Sequence, residues 1–157
     1  MPNEEYLLEW FKNHVWAKPK PSKMCDGVGM FAIRDIPKGT KVFDLAEKSV
    51  SAWVSWEKAK SIPFRVLEWI SESQPDIGDK VIDGTYFQGE EPKLVFLHVT
   101  KGLNWQTTWY FVNHSNKPNL KYSRLPVSPT YTTLRDIKED EELLEDYNET
   151  STIYKSR

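Results

Sequence analysis

Residues 27–43, "GVGMFAIRDIPKGTKVF", decide the fold. Gly27 and Gly29 flank a single valine, so the main chain there can take positive φ and be approached closely, with no Cβ in the way. The run from Met30 to Ile33 reads as a short strand, Pro37-Lys38-Gly39 as a turn, and Lys41 to Leu45 as a second strand. This is the grammar of a β-hairpin. The glycine turn admits two readings, a plain hairpin turn or one that contacts a ligand. It lacks the spacing of a Walker loop, and with a strand rather than a helix after it the dinucleotide fingerprint fails its own context.

Upstream, "EEYLLEWFKN" carries Leu7, Leu8 and Phe11 at helical spacing, which predicts a short amphipathic helix over residues 3–12. In "HVWAKPKPSK", Val15 and Ala17 fall on one side of an extended stretch, and Pro19 and Pro21 forbid a helix, so an edge strand is expected. Downstream, "SWEKAKSIPFRVLEWISES" (55–73) offers Ser55 as an N-cap and Val66, Leu67 and Ile70 spaced by three and four. Pro63 marks a break between two short helices. The runs "KVIDGTYF" and "KLVFLHV", separated by Gly89 and Pro92, read as strands. "TTWYFV" reads as another buried run, "TYTTLRDI" alternates in part, and "EELLEDY" closes the core. No internal repeat is expected. The pattern predicts an α+β, β-rich domain of many short strands with one helical insertion near the middle.

The length of 157 residues is one domain's worth, and a chain of this size buries about 70% of its unfolded surface. A charged fraction of 28% and a net charge of −2 give no bias toward polyanions, so no direct nucleic-acid binding is expected. The single cysteine, Cys25, excludes an intramolecular disulfide framework and any multi-cysteine zinc site, and points to a reducing, intracellular setting. No apolar run approaches the roughly 20 residues a bilayer-spanning helix needs, and the acidic start lacks the order of a secretion signal, so no membrane partner is expected.

Two polar stretches invite chemistry. In "FVNHSNKPNL" (111–120), Asn113-His114-Ser115 fits either three-point hydrogen bonding to a polar ligand or a network that satisfies a buried turn. His14 and His98 show no ligand spacing with His114, so no metal is expected. Cys25 sits beside Asp26, a poor neighbour for a thiolate nucleophile. The closing run holds Asp136, Glu139, Asp140, Glu141, Glu142, Glu145, Asp146 and Glu149 against Arg135 and Lys138. Such a run reads as a solvated face, or as an acidic rim that favours cationic peptides. Tyr147 lies within it, where negative charge keeps a phenol neutral.

Three ordered pieces, "GVGMFAIRDIPKGTKVF", "YFVNHSNKPNL" and "LRDIKEDEELLEDY", resemble in order and position the three signature segments of SET-domain protein lysine methyltransferases. The resemblance covers residues 14–148, with 1–13 as a helical extension, an insertion at 55–73 and 149–157 as a tail. It implies a SET fold of small curved sheets with a knot-like C-terminal segment. It implies S-adenosylmethionine as cofactor, with S-adenosylhomocysteine as product. By motif, Gly27, Val28, Gly29 and Met30 would line the cofactor, Met30 through its backbone, while Asn113 and His114 would hold its adenosine end. Tyr147 falls at the family's catalytic tyrosine, and Tyr122 at a second tyrosine of the lysine channel. The family's cysteine after the serine is Asn116 here. One cysteine cannot build the zinc modules that many members carry before or after the domain, so Tyr154 is read either as the aromatic lid of the channel or as a frayed tail residue.

The implied activity is methyl transfer to a lysine amine in a basic protein or peptide, a histone tail among the options. Two rivals stand beside it: an inactive module of the same fold binding a basic partner through the acidic face, and an enzyme acting on small amines.

Overall fold

The computed structural model describes residues 2–73, 81–82, 85–86, 94–102, 109–124 and 129–149. In chain order its elements are helix α1 (Pro2–Asn13), strands β1 (Ala17–Pro21), β2 (Val28–Ala32) and β3 (Val50–Ser55), helices α2 (Trp56–Ala59) and α3 (Phe64–Ser73), and strands β4 (Val81–Ile82), β5 (Thr85–Tyr86) and β6 (Leu94–Val99). A 3₁₀ turn at Trp109–Phe111 follows, then β7 (Asn113–His114), β8 (Leu120–Arg124), β9 (Pro129–Thr133) and β10 (Glu142–Glu145). The described strands form one four-stranded sheet in the order β1-β2-β10-β7 and three two-stranded sheets, β3-β6, β4-β5 and β8-β9. The fold is therefore α+β and β-rich, made of small sheets with a few short helices. Among the described residues no helix is long and apolar enough to cross a membrane.

The chain divides into two compact units, one of Met1–Val15 with Leu45–Asn104 and one of Trp16–Asp44 with Trp105–Arg157. In the first, Leu7, Trp10 and Phe11 of α1 are buried at helical spacing, and Glu4, Glu5 and Lys12 complement the helix dipole at its two ends. β3 and β6 pair antiparallel with Val54 opposite Val95 and Val50 opposite Val99, so one face of valines and Leu97 is buried. α2 and α3 break around Pro63, whose carbonyl accepts the N–H groups of Val66 and Leu67 at 2.9 and 3.1 Å. Ser55 stands at the N-cap of α2 in extended conformation, but its side chain makes no capping bond.

The second unit holds the four-stranded sheet. β1 is its edge strand, which is why Pro19 and Pro21 are tolerated there. Ala17, Met30, Ala32, Ile36, Val42, Phe43, Val112, Leu120, Tyr131, Ile137 and Leu143 form its core. The expected strand from Lys41 to Leu45 is reduced to isolated bridges, Lys41 to Thr132 and one at Phe43, with the Val42 N–H donating to Tyr131 O at 3.0 Å. Within "TTWYFV", the described residues close a 3₁₀ turn through Val112 N–H to Trp109 O, 3.0 Å. A short apolar run does not distinguish these outcomes by periodicity.

Two turns of this unit share a tripeptide. Arg34-Asp35-Ile36 and Arg135-Asp136-Ile137 begin two turns that pair with each other as near copies. Ile36 N–H donates to Ile137 O and Ile137 N–H to Ile36 O, at 2.8 and 2.9 Å. Asp136 accepts the Lys38 N–H at 2.8 Å, and Asp35 the Glu139 N–H at 2.9 Å. Both turns end in the left-handed region, at Gly39 (φ 81°) and Asp140 (φ 66°). The shared tripeptide is too short for a solenoid period and shows only through this reciprocal bonding.

β10 is the strand that joins the motifs. Glu142 and Leu143 pair antiparallel with Phe31 and Met30 of β2, and Leu144 and Glu145 pair in parallel with Asn113 and His114 of β7. Asn119, 2% exposed, completes the exchange: its Nδ2 donates to Glu142 O and its Oδ1 accepts the Leu144 N–H, both at 2.8 Å. Its amide thus acts as a stand-in peptide along β10. Removing it strands two buried main-chain groups at about 1–3 kcal/mol each. Asn119→Ala is expected to destabilise the protein by about 3 kcal/mol in chemical denaturation; a loss below about 0.5 kcal/mol would contradict this role.

Candidate active site

The glycine turn begins at Ser22, whose N–H donates to Gly27 O at 2.8 Å, and leads through Val28 into β2. Gly27 is exposed, and Gly29 is buried. A Cβ on Gly29 would collide with Glu142 Oε1 and lie 3.2 Å from Asn113 Nδ2, so a side chain here would displace the Glu142 carboxylate. Met30 is fully buried in the core, and its backbone lies between Pro19 of β1 and Leu143 of β10 in the sheet.

Asn113 is brought directly to this turn. Its Nδ2 donates to Val28 O at 2.9 Å and lies 3.1 Å from both Ser22 Oγ and Glu142 Oε1. A carbonyl and a carboxylate can only accept, so the amide orientation is fixed by chemistry and Oδ1 is turned away from these three partners. The site therefore offers an acceptor oxygen beside a main-chain cradle.

His114 follows on β7. Its Nδ1 accepts the Tyr147 N–H at 3.1 Å, which places the neutral ring's proton on Nε2. The Asp146 carboxylate stands 3.7 Å from the same Nδ1, and the His114 and Tyr147 rings lie 5.3 Å apart. Tyr147, 44% exposed, donates its hydroxyl proton to Val112 O at 2.8 Å. Burial, then the charge of Glu145, then that of Cys25 raise its pKa above the usual tyrosine value, so the phenol stays neutral.

Tyr122 lies on β8 opposite Tyr131, their rings 5.1 Å apart. Tyr131 also packs edge-on against Phe43 and near Trp109, and its hydroxyl donates to Glu145 at 3.4 Å. Tyr122 thus belongs to an aromatic group beside the acid two residues before Tyr147. Tyr154 lies outside the described residues.

Sequence reasoning missed Ser22, Glu142 and Tyr131. The acidic run hid Glu142 and Glu145, which are 7% and 5% exposed rather than part of a solvated face. Several of its other acids are engaged as well, Glu141 with Arg135 and Asp140 with Lys20. The sequence carried no local signal for Glu142 and Glu145, because only the pairing of β10 with both β2 and β7 buries these acids, which must then be hydrogen-bonded.

A donor such as S-adenosylmethionine carries an ammonium group and an adenosine. Two features fit it: an acceptor at Asn113 Oδ1, and the main chain of Asn113 and His114 on the edge strand β7.

The family model described as the SET domain matches residues 27–148. No curated protein matches the chain. Among solved structures, a candidate histone methyltransferase of Plasmodium falciparum is similar at 18% identity and a TM-score of 0.38, covering 84% of this chain and 92% of that one. The methyltransferase domain of human PR domain-containing protein 2 is similar at 19% identity and a TM-score of 0.40, covering 89% of this chain and 80% of that one. The family match spans all three signature segments and every described candidate residue, and on it the chain belongs to the SET-domain family.

Proposed function

We propose that this chain transfers a methyl group from S-adenosylmethionine to the side-chain amine of a lysine in a protein substrate, with residues 14–148 as the catalytic domain. The observation that carries this reading is the Asn113 amide, expected from the resemblance at the adenosine end: its donor face is consumed by Val28, Ser22 and Glu142, and the acceptor that is left suits the ammonium group instead.

When bound, S-adenosylmethionine supplies an electrophilic methyl group and leaves as S-adenosylhomocysteine. The residues of the chain bind and orient. Gly27, Val28, Gly29 and the Met30 backbone form one wall, and Asn113 and His114 the other. Tyr147 receives the acceptor amine: with its proton committed to Val112 O, its hydroxyl oxygen presents lone pairs to an amine N–H. A lysine ammonium has a free pKa of about 10.4, and the neutral amine that attack requires is favoured in apolar surroundings. Tyr122, Tyr131 and Trp109 supply such surroundings. Holding amine and methyl in line can lower the barrier by roughly 7–11 kcal/mol. The preferred substrate is a basic segment such as a histone tail, drawn to the exposed acids of the closing run. Labelled cofactor incubated with histones, peptide arrays and free amines tests this. Label on a lysine peptide supports it, and label on free amines alone or on nothing contradicts it.

Tyr147→Phe is expected to cut turnover by about a hundredfold while cofactor affinity changes less than twofold, because the hydroxyl acts on the transition state. Equal losses in both would contradict the assignment. Asn113→Ala is expected to weaken cofactor binding about tenfold by calorimetry, the worth of one good hydrogen bond.

An ultraviolet difference titration of the wild type against Tyr147→Phe should lose a tyrosine that ionises above 10.0. The sign follows: the stabilisation due to the neutral phenol is present below the ordinary tyrosine value and is lost as pH rises through the higher folded value. A lost step below 10.0 would contradict the buried, acid-flanked setting.

A further inference from the structure

We infer that Glu142 is a positioning residue for the cofactor, acting through Asn113 and the turn that begins at Ser22; the inference rests on the cofactor reading above. Glu142 is a buried carboxylate with three donors aimed at it. Ser22 Oγ donates to Oε1 at 2.6 Å, Asn113 Nδ2 approaches the same oxygen at 3.1 Å, and the Lys23 N–H donates to Oε2 at 2.8 Å. Ser22, having given its proton to the acid, accepts the Met24 N–H at 2.9 Å. One carboxylate therefore ties together the first turn, the side chain of the second motif, and β10, which carries the third.

The proton accounting is closed in one direction only. Glu142 and Val28 O accept, so Asn113 must present its NH₂ to them and its carbonyl oxygen outward. Were the acid replaced by a group with a donor of its own, Val28 O alone among the pure acceptors would hold the amide, and the loop amides of Lys23 and Met24 would lose their anchor. Gly29 closes the arrangement, because a Cβ there would occupy the space of the carboxylate. Glu142 contacts neither reacting atom in this account. Together with Val28 O it holds the face of Asn113 that the cofactor meets, and so favours a ligand bearing an ammonium group.

The test is calorimetric and uses two ligands, S-adenosylhomocysteine and its des-amino analogue, which lacks only the α-amino group. Glu142→Gln keeps the size of the side chain but puts an NH₂ where two acceptor oxygens are needed. It should weaken S-adenosylhomocysteine about tenfold, the equivalent of one hydrogen bond, while the des-amino analogue changes less than twofold. A general loosening of the pocket would weaken both ligands alike, and that result, or no change in either, overturns the inference. If Glu142→Gln does not fold, Ser22→Ala decides by the same ratio, with an expected selective loss of about threefold. Failure of the wild-type protein to bind S-adenosylhomocysteine at all would overturn the cofactor reading and this inference together, whereas binding without the selective loss removes only the role of Glu142.

Discussion

A strand with neighbours on both edges has no free main-chain groups to give to solvent, and β10 has only four residues with which to satisfy two neighbours of opposite direction. Its first half reads β2 and its second half reads β7. At the changeover the backbone ladder is handed from one partner to the other, and the buried amide of Asn119 fills the step by accepting from Leu144 and donating to Glu142. Once this constraint is met, the site residues have little freedom: Gly29 packs against Glu142, Asn113 pairs with Leu144, and Tyr147 follows β10 by two residues and bonds to His114 and Val112.

The acids of this region divide by depth. Glu141 pairs with Arg135, and both respond as an ion pair should, the carboxyl held below and the guanidinium above their usual values. Asp35 and Asp136 cap the reciprocal turns. Glu142 and Glu145 are buried and work on their neighbours' side chains, one on Asn113 and Ser22, the other on Tyr131. A surface run of acids would steer ligands only weakly and in a salt-dependent way. A buried one fixes orientation, which is the more useful property beside a cofactor seat.

Much of the fold was legible. Leu7 and Phe11 at helical spacing, the prolines of the edge strand, and the break at Pro63 each have a local physical cause that survives folding. The identities of Gly29, Asn113 and Tyr147 as candidates were legible from motif order. What was not legible depends on long-range pairing. Nothing local distinguishes Glu142 from Glu141, since only the two-sided pairing of β10 buries one and leaves the other facing Arg135. Ser22 looks like loop punctuation until Glu142, far along the chain, accepts its proton. The strand expected after Lys41 pairs only through isolated bridges, since how far a ladder runs depends on the distant partner segment.

The central claim is that three separated segments make one seat for a single ligand. Titrating S-adenosylmethionine into uniformly ¹⁵N-labelled protein and following the amides of Gly29, Asn113, His114 and Tyr147 tests it most directly. The account requires all four to shift along one saturable curve with a common Kd. Shifts confined to one segment, or curves that saturate at different ligand concentrations, would contradict it.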